Sequence, residues 1–293
     1  MSVYYDVASV GHFMMLDADF ASADLDRRFG GLARLYGVAG ARRIRATHIV
    51  VVGLGGVGSW AAEAVARSGI ARLTLIDLDH IAESNINRQV HALSNTLGLA
   101  KVQAMRDRIG HINPDCQVDC IEEFVDAKNW PDILSLDTGF DRKQLAVIDA
   151  CDQVRAKTAM AAWAIKNKVI LISVGAAGGK RLAHCVDIDD LSMVTHDPLL
   201  AQMRYRLRKE HGAARQGKIG VPCVFSREPV MQPPAESRLY DQEDSVEGVL
   251  RTQMSPSAKK DGTLNCHGYG SIVSVTSTFG VCAAGWVLNK IAD

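Results

Sequence analysis

What the chain lacks narrows it first. Neither sign of charge is in excess: among 293 residues, 33 Lys and Arg balance 33 Asp and Glu. A protein that coats nucleic acid needs surplus cations against the phosphates, so that role is excluded and only a local basic patch stays open. The seven cysteines, at 116, 120, 151, 185, 223, 266 and 282, include no C-x-x-C pair. That excludes a four-cysteine zinc site, and an odd number of thiols fits no closed disulfide framework, so the expected compartment is reducing. Internal repeats and low-complexity tracts are missing too, which argues against a solenoid or a disordered chain. No Lys or Arg precedes Arg27, whereas five Asp do. The basic start of a secretory signal is therefore absent. We read the protein as cytoplasmic, with 1–26 as a poorly ordered leader.

What is present is ordinary globular material: 47% hydrophobic residues in a chain long enough to bury a real core. One stretch, 270–288, carries no charge over about nineteen residues, close to the roughly twenty of a spanning helix. Ser, Thr and Gly dilute it, so a buried helix is expected, with membrane contact left as the alternative.

Hydrophobic period divides the rest. A β-branched run at 48–53 ends in glycines and leads into an Ala-rich helical pattern over 57–69; a second strand follows at 72–77. Helices are predicted over 99–112 and 154–166, and strands over 117–121, 145–150 and 169–174. Strand and helix alternate, which predicts an α/β, Rossmann-like, doubly wound and mostly parallel sheet covered on both faces. After Gly179 the alternation dissolves and most of the prolines appear. We expect one domain over 27–293: a nucleotide-binding core (27–179), then an irregular part (180–293) with short antiparallel strands, a substrate surface and a final apolar helix.

Gly53, Gly55, Gly56 and Gly58 lie in GLGGVG, a G-x-G-x-x-G placed directly after a strand and opening a helix. There the glycines permit a tight turn and close approach to a phosphate, and the helix N-terminus offers free N–H groups. Asp77 ends the next strand, where a carboxylate accepts ribose hydroxyls. These features suit any nucleotide, a nicotinamide cofactor included. The following residues discriminate. Arg88 lies in NINRQ, and Lys101 comes thirteen positions later. Singly, each reads as a solvated surface charge; together with the glycine loop they suit a triphosphate, because a guanidinium and an ammonium neutralise a pyrophosphate leaving group. Asp152 ends the DACD run (149–152) at the same crevice and has the chemistry to hold Mg²⁺.

The pieces GLGGVGS (53–59), DLD (77–79), NINRQ (85–89), GLAK (98–101) and DACD (149–152) resemble the adenylating enzymes of the ubiquitin-activating superfamily, in the branch that includes the molybdopterin and thiamine sulfur-carrier activators. Further runs at 28–37, 108–114, 175–180, 197–199 and 217–226 resemble the tRNA-modifying members, so the likeness extends over most of the chain. It implies ATP-dependent dehydration (cyclisation) of N6-threonylcarbamoyladenosine beside the anticodon of tRNA, through an acyl-adenylate. It also implies that Asp77 binds ribose, that Asp79, Asn85, Arg88, Gln89 and Lys101 surround the nucleotide, and that Asp152 positions Mg²⁺. A homodimer is implied, with an N-terminal arginine, Arg28 or Arg34, reaching the partner's site as a catalytic residue. A bound monovalent cation (Na⁺ or K⁺) and delivery partners, a cysteine desulfurase with its sulfur-acceptor protein, belong to the same expectation; DNA does not. The alternatives are an activator of a ubiquitin-like sulfur carrier and, more remotely, an NAD-dependent oxidoreductase.

Two features stand apart. Cys223 is a possible thiol site, read either as a thioester or persulfide carrier or as a small buried hydrophobe. Between 202 and 218, Arg204, Arg206, Arg208, Lys209, Arg215 and Lys218 face the single acid Glu210, a local excess of five positive charges. That is the candidate tRNA surface, the other reading being a solvated face.

Overall fold

The computed structural model describes residues 24–136, 141–234 and 269–293. Residues 1–23, most of the expected leader, lie outside them, as does Cys266. Within that leader Asp24 caps α1 (Leu25–Phe29), its carboxylate accepting from the Arg27 N–H. Helix α2 (Gly31–Ala46) follows, with a non-helical break at Gly37.

Among the described residues seven strands form one sheet: β1 (His48–Val52), β2 (Arg72–Ile76), β3 (Gln117–Ile121), β4 (Leu145–Asp149), β5 (Ile170–Val174), β6 (Val186–Asp190) and β7 (Pro222–Ser226). Their order is β3-β2-β1-β4-β5-β7-β6, parallel throughout except for the β6–β7 pair. The apolar runs are buried on both sides because alternate residues serve different cores. Ile49 and Val51 face α3 (Gly58–Ala66), α4 (Lys101–Ile112) and α7 (Val273–Ala292). Val50 and Val52 face α5 (Val154–Asn167) and α6 (Pro198–Glu210).

The C-terminal part carries the expected short antiparallel pair, β6 with β7, and β7 also pairs in parallel with β5, so the main sheet grows by two strands. The uncharged run 270–288 supplies most of α7, whose Val275, Phe279, Ala283 and Val287 are fully buried. Gly280 lets α7 meet α3, since an added Cβ would overlap the Val57 carbonyl oxygen. No helix among the described residues is long and apolar enough to cross a membrane.

Two buried histidines give the fold a pH dependence. His48 opens β1 at 3% exposure, its Nε2 2.8 Å from Thr74 Oγ1, and His91 is 1% exposed. Burial pushes both imidazoles down to about 4, helped by Arg72 at His48 and by Lys101 and Arg108 at His91. Unfolded imidazoles titrate near 6.5, so on acidification the unfolded chain takes up protons first. Stability is therefore full above about pH 6.5 and falls as pH drops towards 4, by on the order of 2–3 kcal/mol per histidine. Urea midpoints followed from pH 7 to 5 are expected to fall, less steeply in His91→Leu; a flat profile for the parent protein would contradict this.

Candidate active site

Strand order reverses between β1 and β4, and the loops leaving the C-terminal ends of β1, β2, β4 and β5 diverge around a crevice. Its volume is about 380 Å³, within the range of small-molecule sites. Gly53 adopts φ +86°, and an added Cβ would lie 2.9 Å from the Ala150 carbonyl oxygen. At Gly58 an added Cβ would overlap the Gly53 carbonyl oxygen. The third glycine of the motif is thus required by the close approach of α3 to the strand end, while Gly55 meets nothing and borders the open crevice.

Asp77 and Asp79 follow β2. The Asp77 carboxylate accepts from the Leu54 N–H at 2.5 Å and the Asp79 N–H at 2.9 Å, which ties the glycine loop to the second strand. Burial pushes this carboxyl above its ordinary range, opposed by Lys101 and those two N–H groups. Lys101, the first residue of α4 and 6% exposed, donates to Asp79 Oδ2 at 2.8 Å and lies 3.9 Å from Asp77 Oδ1. The structure therefore buries the lysine between two acids at the rim of the crevice, and the solvated-charge reading of Lys101 does not hold.

The NINRQ segment forms a short turn over the glycine loop. Asn85 Oδ1 accepts from the Ala82 N–H at 3.1 Å and shapes that turn. Arg88 lays its methylenes across Gly56, and its Nη1 donates to Ser84 O at 2.6 Å and Asn87 Oδ1 at 2.9 Å. Gln89 is 5% exposed, and its Oε1, in the crevice wall, has no hydrogen-bond partner among the described residues. Asp152 lies exposed on the facing loop after β4, and no hydrogen bond or ion pair among the described residues holds its carboxylate. All of Gly53, Gly55, Gly56, Asp77, Asp79, Asn85, Arg88, Gln89, Lys101 and Asp152 line this one cavity.

Other predicted residues lie elsewhere. Arg34 is exposed on α2, and Arg28 donates to Ile112 O at 2.9 Å, so neither lines the crevice of its own chain. Cys223 in β7 is fully buried, and burial drives its thiol well above the usual range. Of the basic cluster, Arg204 donates to Leu191 O and Val194 O, Arg206 pairs with Glu210 at 2.9 Å, Arg208 donates to Ala214 O, and Lys209 sits over the Tyr205 ring. Arg215 and Lys218 remain exposed beside them.

Sequence reasoning missed Phe124, which lines the crevice and is 57% exposed, and also Leu199, Ser271 and Thr276. The position of Phe124 just beyond a third parallel strand is a signal that was available. For Thr276 there was none, because in sequence it reads only as a polar dilution of an apolar helix.

A ThiF family model matches residues 27–292. The chain is 40% identical over 267 residues to the tRNA threonylcarbamoyladenosine dehydratase of Escherichia coli K12, covering 90% of this chain and 93% of that one. To the Haemophilus influenzae protein of the same name it is 39% identical, with coverage of 91% and 94%. The crystal structure of the E. coli dehydratase in complex with ATP superposes with a TM-score of 0.75 at 39% identity, over 92% of this chain and 96% of that one. A glycine loop opening α3, the crevice where strand order reverses and a match over nearly the whole chain lead to one assignment: the chain belongs to the ThiF family.

Proposed function

We propose that the protein dehydrates N6-threonylcarbamoyladenosine in tRNA, using ATP to activate the threonyl carboxylate. The observation that carries this reading is the convergence of the glycine loop, Arg88, Lys101 and Asp152 on one crevice, in a chain that matches dehydratases over about nine-tenths of its length. A nicotinamide enzyme has no use for that pair of cations, so the oxidoreductase alternative has no support from the site.

A carboxylate does not lose oxide unaided. One of its oxygens attacks the α-phosphorus of ATP, the bond to the bridging oxygen breaks, and pyrophosphate leaves as Arg88 and Lys101 stabilise its charge. The carbamoyl nitrogen or oxygen of the same side chain then attacks the acyl carbon and expels AMP. Nucleophile and electrophile belong to one molecule, so closure gains from effective molarity and needs no enzyme nucleophile. The balance is loss of one water from the tRNA with ATP converted to AMP and pyrophosphate.

Mg²⁺ fits this donor set. It is bound through one or two carboxylates plus substrate phosphates rather than in a protein cage; among the described residues no cluster of three ligands exists, and Asp152 and Glu123 line the crevice without a hydrogen bond or ion pair. Asp152 would hold the ion, which supplies charge neutralisation on the phosphates. The exposed Arg34 on α2 suits a homodimer in which it reaches the partner's crevice, and a monovalent cation and a cytoplasmic location complete the reading. The buried Cys223 offers a cysteine desulfurase and its acceptor no accessible sulfur. Lys209, Arg215 and Lys218, exposed at the end of α6 and beyond, are the part of the basic cluster left for tRNA phosphates.

Purified protein incubated with ATP, Mg²⁺ and tRNA bearing threonylcarbamoyladenosine is expected to release AMP and yield a nucleoside lighter by one water in mass spectra of the digest. No change, with pyrophosphate exchange only on adding a carrier protein ending in Gly-Gly, would instead establish the sulfur-carrier activator. Cys223→Ala is expected to retain turnover while losing on the order of 1 kcal/mol of stability. A folded but inactive variant would assign the thiol a chemical role.

A further inference from the structure

Beneath the crevice lies a charged cluster that the reaction does not touch. Lys157 on α5 and Asp149 at the end of β4 are both fully buried, with Nζ 3.0 Å from Asp149 Oδ1. Nζ also donates to Asp149 O at 3.2 Å and to Ser173 Oγ at 3.3 Å, and Ser173 Oγ donates to Asp149 Oδ2 at 2.6 Å. The Cys151 thiol donates to Asp149 Oδ1 at 3.2 Å. None of Asp149, Lys157 or Ser173 lines the crevice.

A dry ion pair of this kind gains little stability over apolar residues of the same volume, because desolvation consumes the Coulomb attraction. What this one does is geometric. Asp149 and Lys157 flank the segment 150–156, and their contact closes it like a clasp, while Ser173 fastens the clasp to β5. Asp152 is in that segment. No hydrogen bond or ion pair among the described residues holds its carboxylate, so its placement depends on the backbone of the loop that the clasp holds.

We propose that Lys157, Asp149 and Ser173 are positioning residues that set the loop carrying Asp152 for metal-assisted nucleotide binding. This rests on the reading of Asp152 as the Mg²⁺ ligand, and the test separates the two. ATP affinity is measured by calorimetry with and without Mg²⁺ on the full-length protein, alongside melting temperature. The parent protein is expected to bind ATP more tightly with Mg²⁺, and Asp152→Ala is expected to lose that gain; if the parent shows no gain, the assignment of Asp152 fails first. Lys157→Met alone leaves a buried unpaired carboxylate and is expected to fold poorly, so the informative variants are Lys157→Met/Asp149→Asn and Ser173→Ala. Both are expected to fold and to keep Mg²⁺-free ATP affinity within about twofold. Each is expected to lose most of the Mg²⁺-dependent gain, at least about fivefold in the double variant, with a fall in kcat of about 10²-fold, the penalty of a misplacement near 1 Å. A folded double variant that retains the full gain overturns the proposal, as does a loss that affects Mg²⁺-free binding equally.

Discussion

Asp152→Ala and Arg88→Ala are each expected to lower kcat for tRNA dehydration by about 10²–10³-fold, the loss that follows removal of one preorganised group facing developing charge. The Asp152 side chain is exposed and Arg88 is half-buried with its methylenes across Gly56, but neither belongs to the hydrophobic core, so circular dichroism should match the parent and melting temperature stay close to it. The two differ in detail. Arg88 also packs across Gly56 and bonds Ser84 O, so its loss loosens the cover of the glycine loop and is expected to raise the KM for ATP as well. Asp152 makes no hydrogen bond or ion pair among the described residues, and its loss should appear in kcat and in Mg²⁺ dependence. Full activity in either purified variant would remove that residue from the phosphate machinery.

Gly58→Ala is expected to damage stability and binding together. The new methyl would overlap the Gly53 carbonyl oxygen and come within 3.2 Å of Ala150 Cβ, and backbone cannot swing aside as a long side chain can. Overpacking of this kind costs about 1–3 kcal/mol or more. Because the displaced atoms are the glycine loop itself, ATP affinity should fall more than tenfold. Gly110→Ala is the contrast: it is exposed in α4 with open space around its Cα, and alanine there should add about 0.5–1 kcal/mol by restricting the unfolded chain. Thermal melts and ATP titrations of the pair check both; equal ATP affinity in Gly58→Ala and the parent would show that the loop tolerates a shift the structure does not provide for.

Much of the architecture was legible in the chain because parallel strands buried on both faces leave continuous apolar runs. The segments at 48–53, 72–77, 145–150 and 169–174 needed no tertiary information to be recognised. Their neighbours did. The proline-rich stretch after 179 gave no period, since Pro222–Ser226 is short and carries a proline and a cysteine, and its parallel partner β5 lies far back in the chain. Arg204 illustrates the same limit. Its spacing from Arg208 marks a shared helix face, but not that its guanidinium is spent on the carbonyls of Leu191 and Val194.

By itself the amino-acid sequence determined the alternating α/β order, the glycine loop and the residue types suited to a triphosphate, because those are local properties: period, turn chemistry and charge. Only the tertiary structure decided that the loops after β1, β2, β4 and β5 enclose one crevice, that Lys101 lies buried between acids, and that Cys223 is sealed in β7. It alone disclosed Lys157, which in an Ala-rich helix reads as one more solvent-facing cation. Which face of a helix is buried, and whether a counter-charge waits there, depends on strand order and register. Those follow from the packing of the whole chain, not from any segment of it.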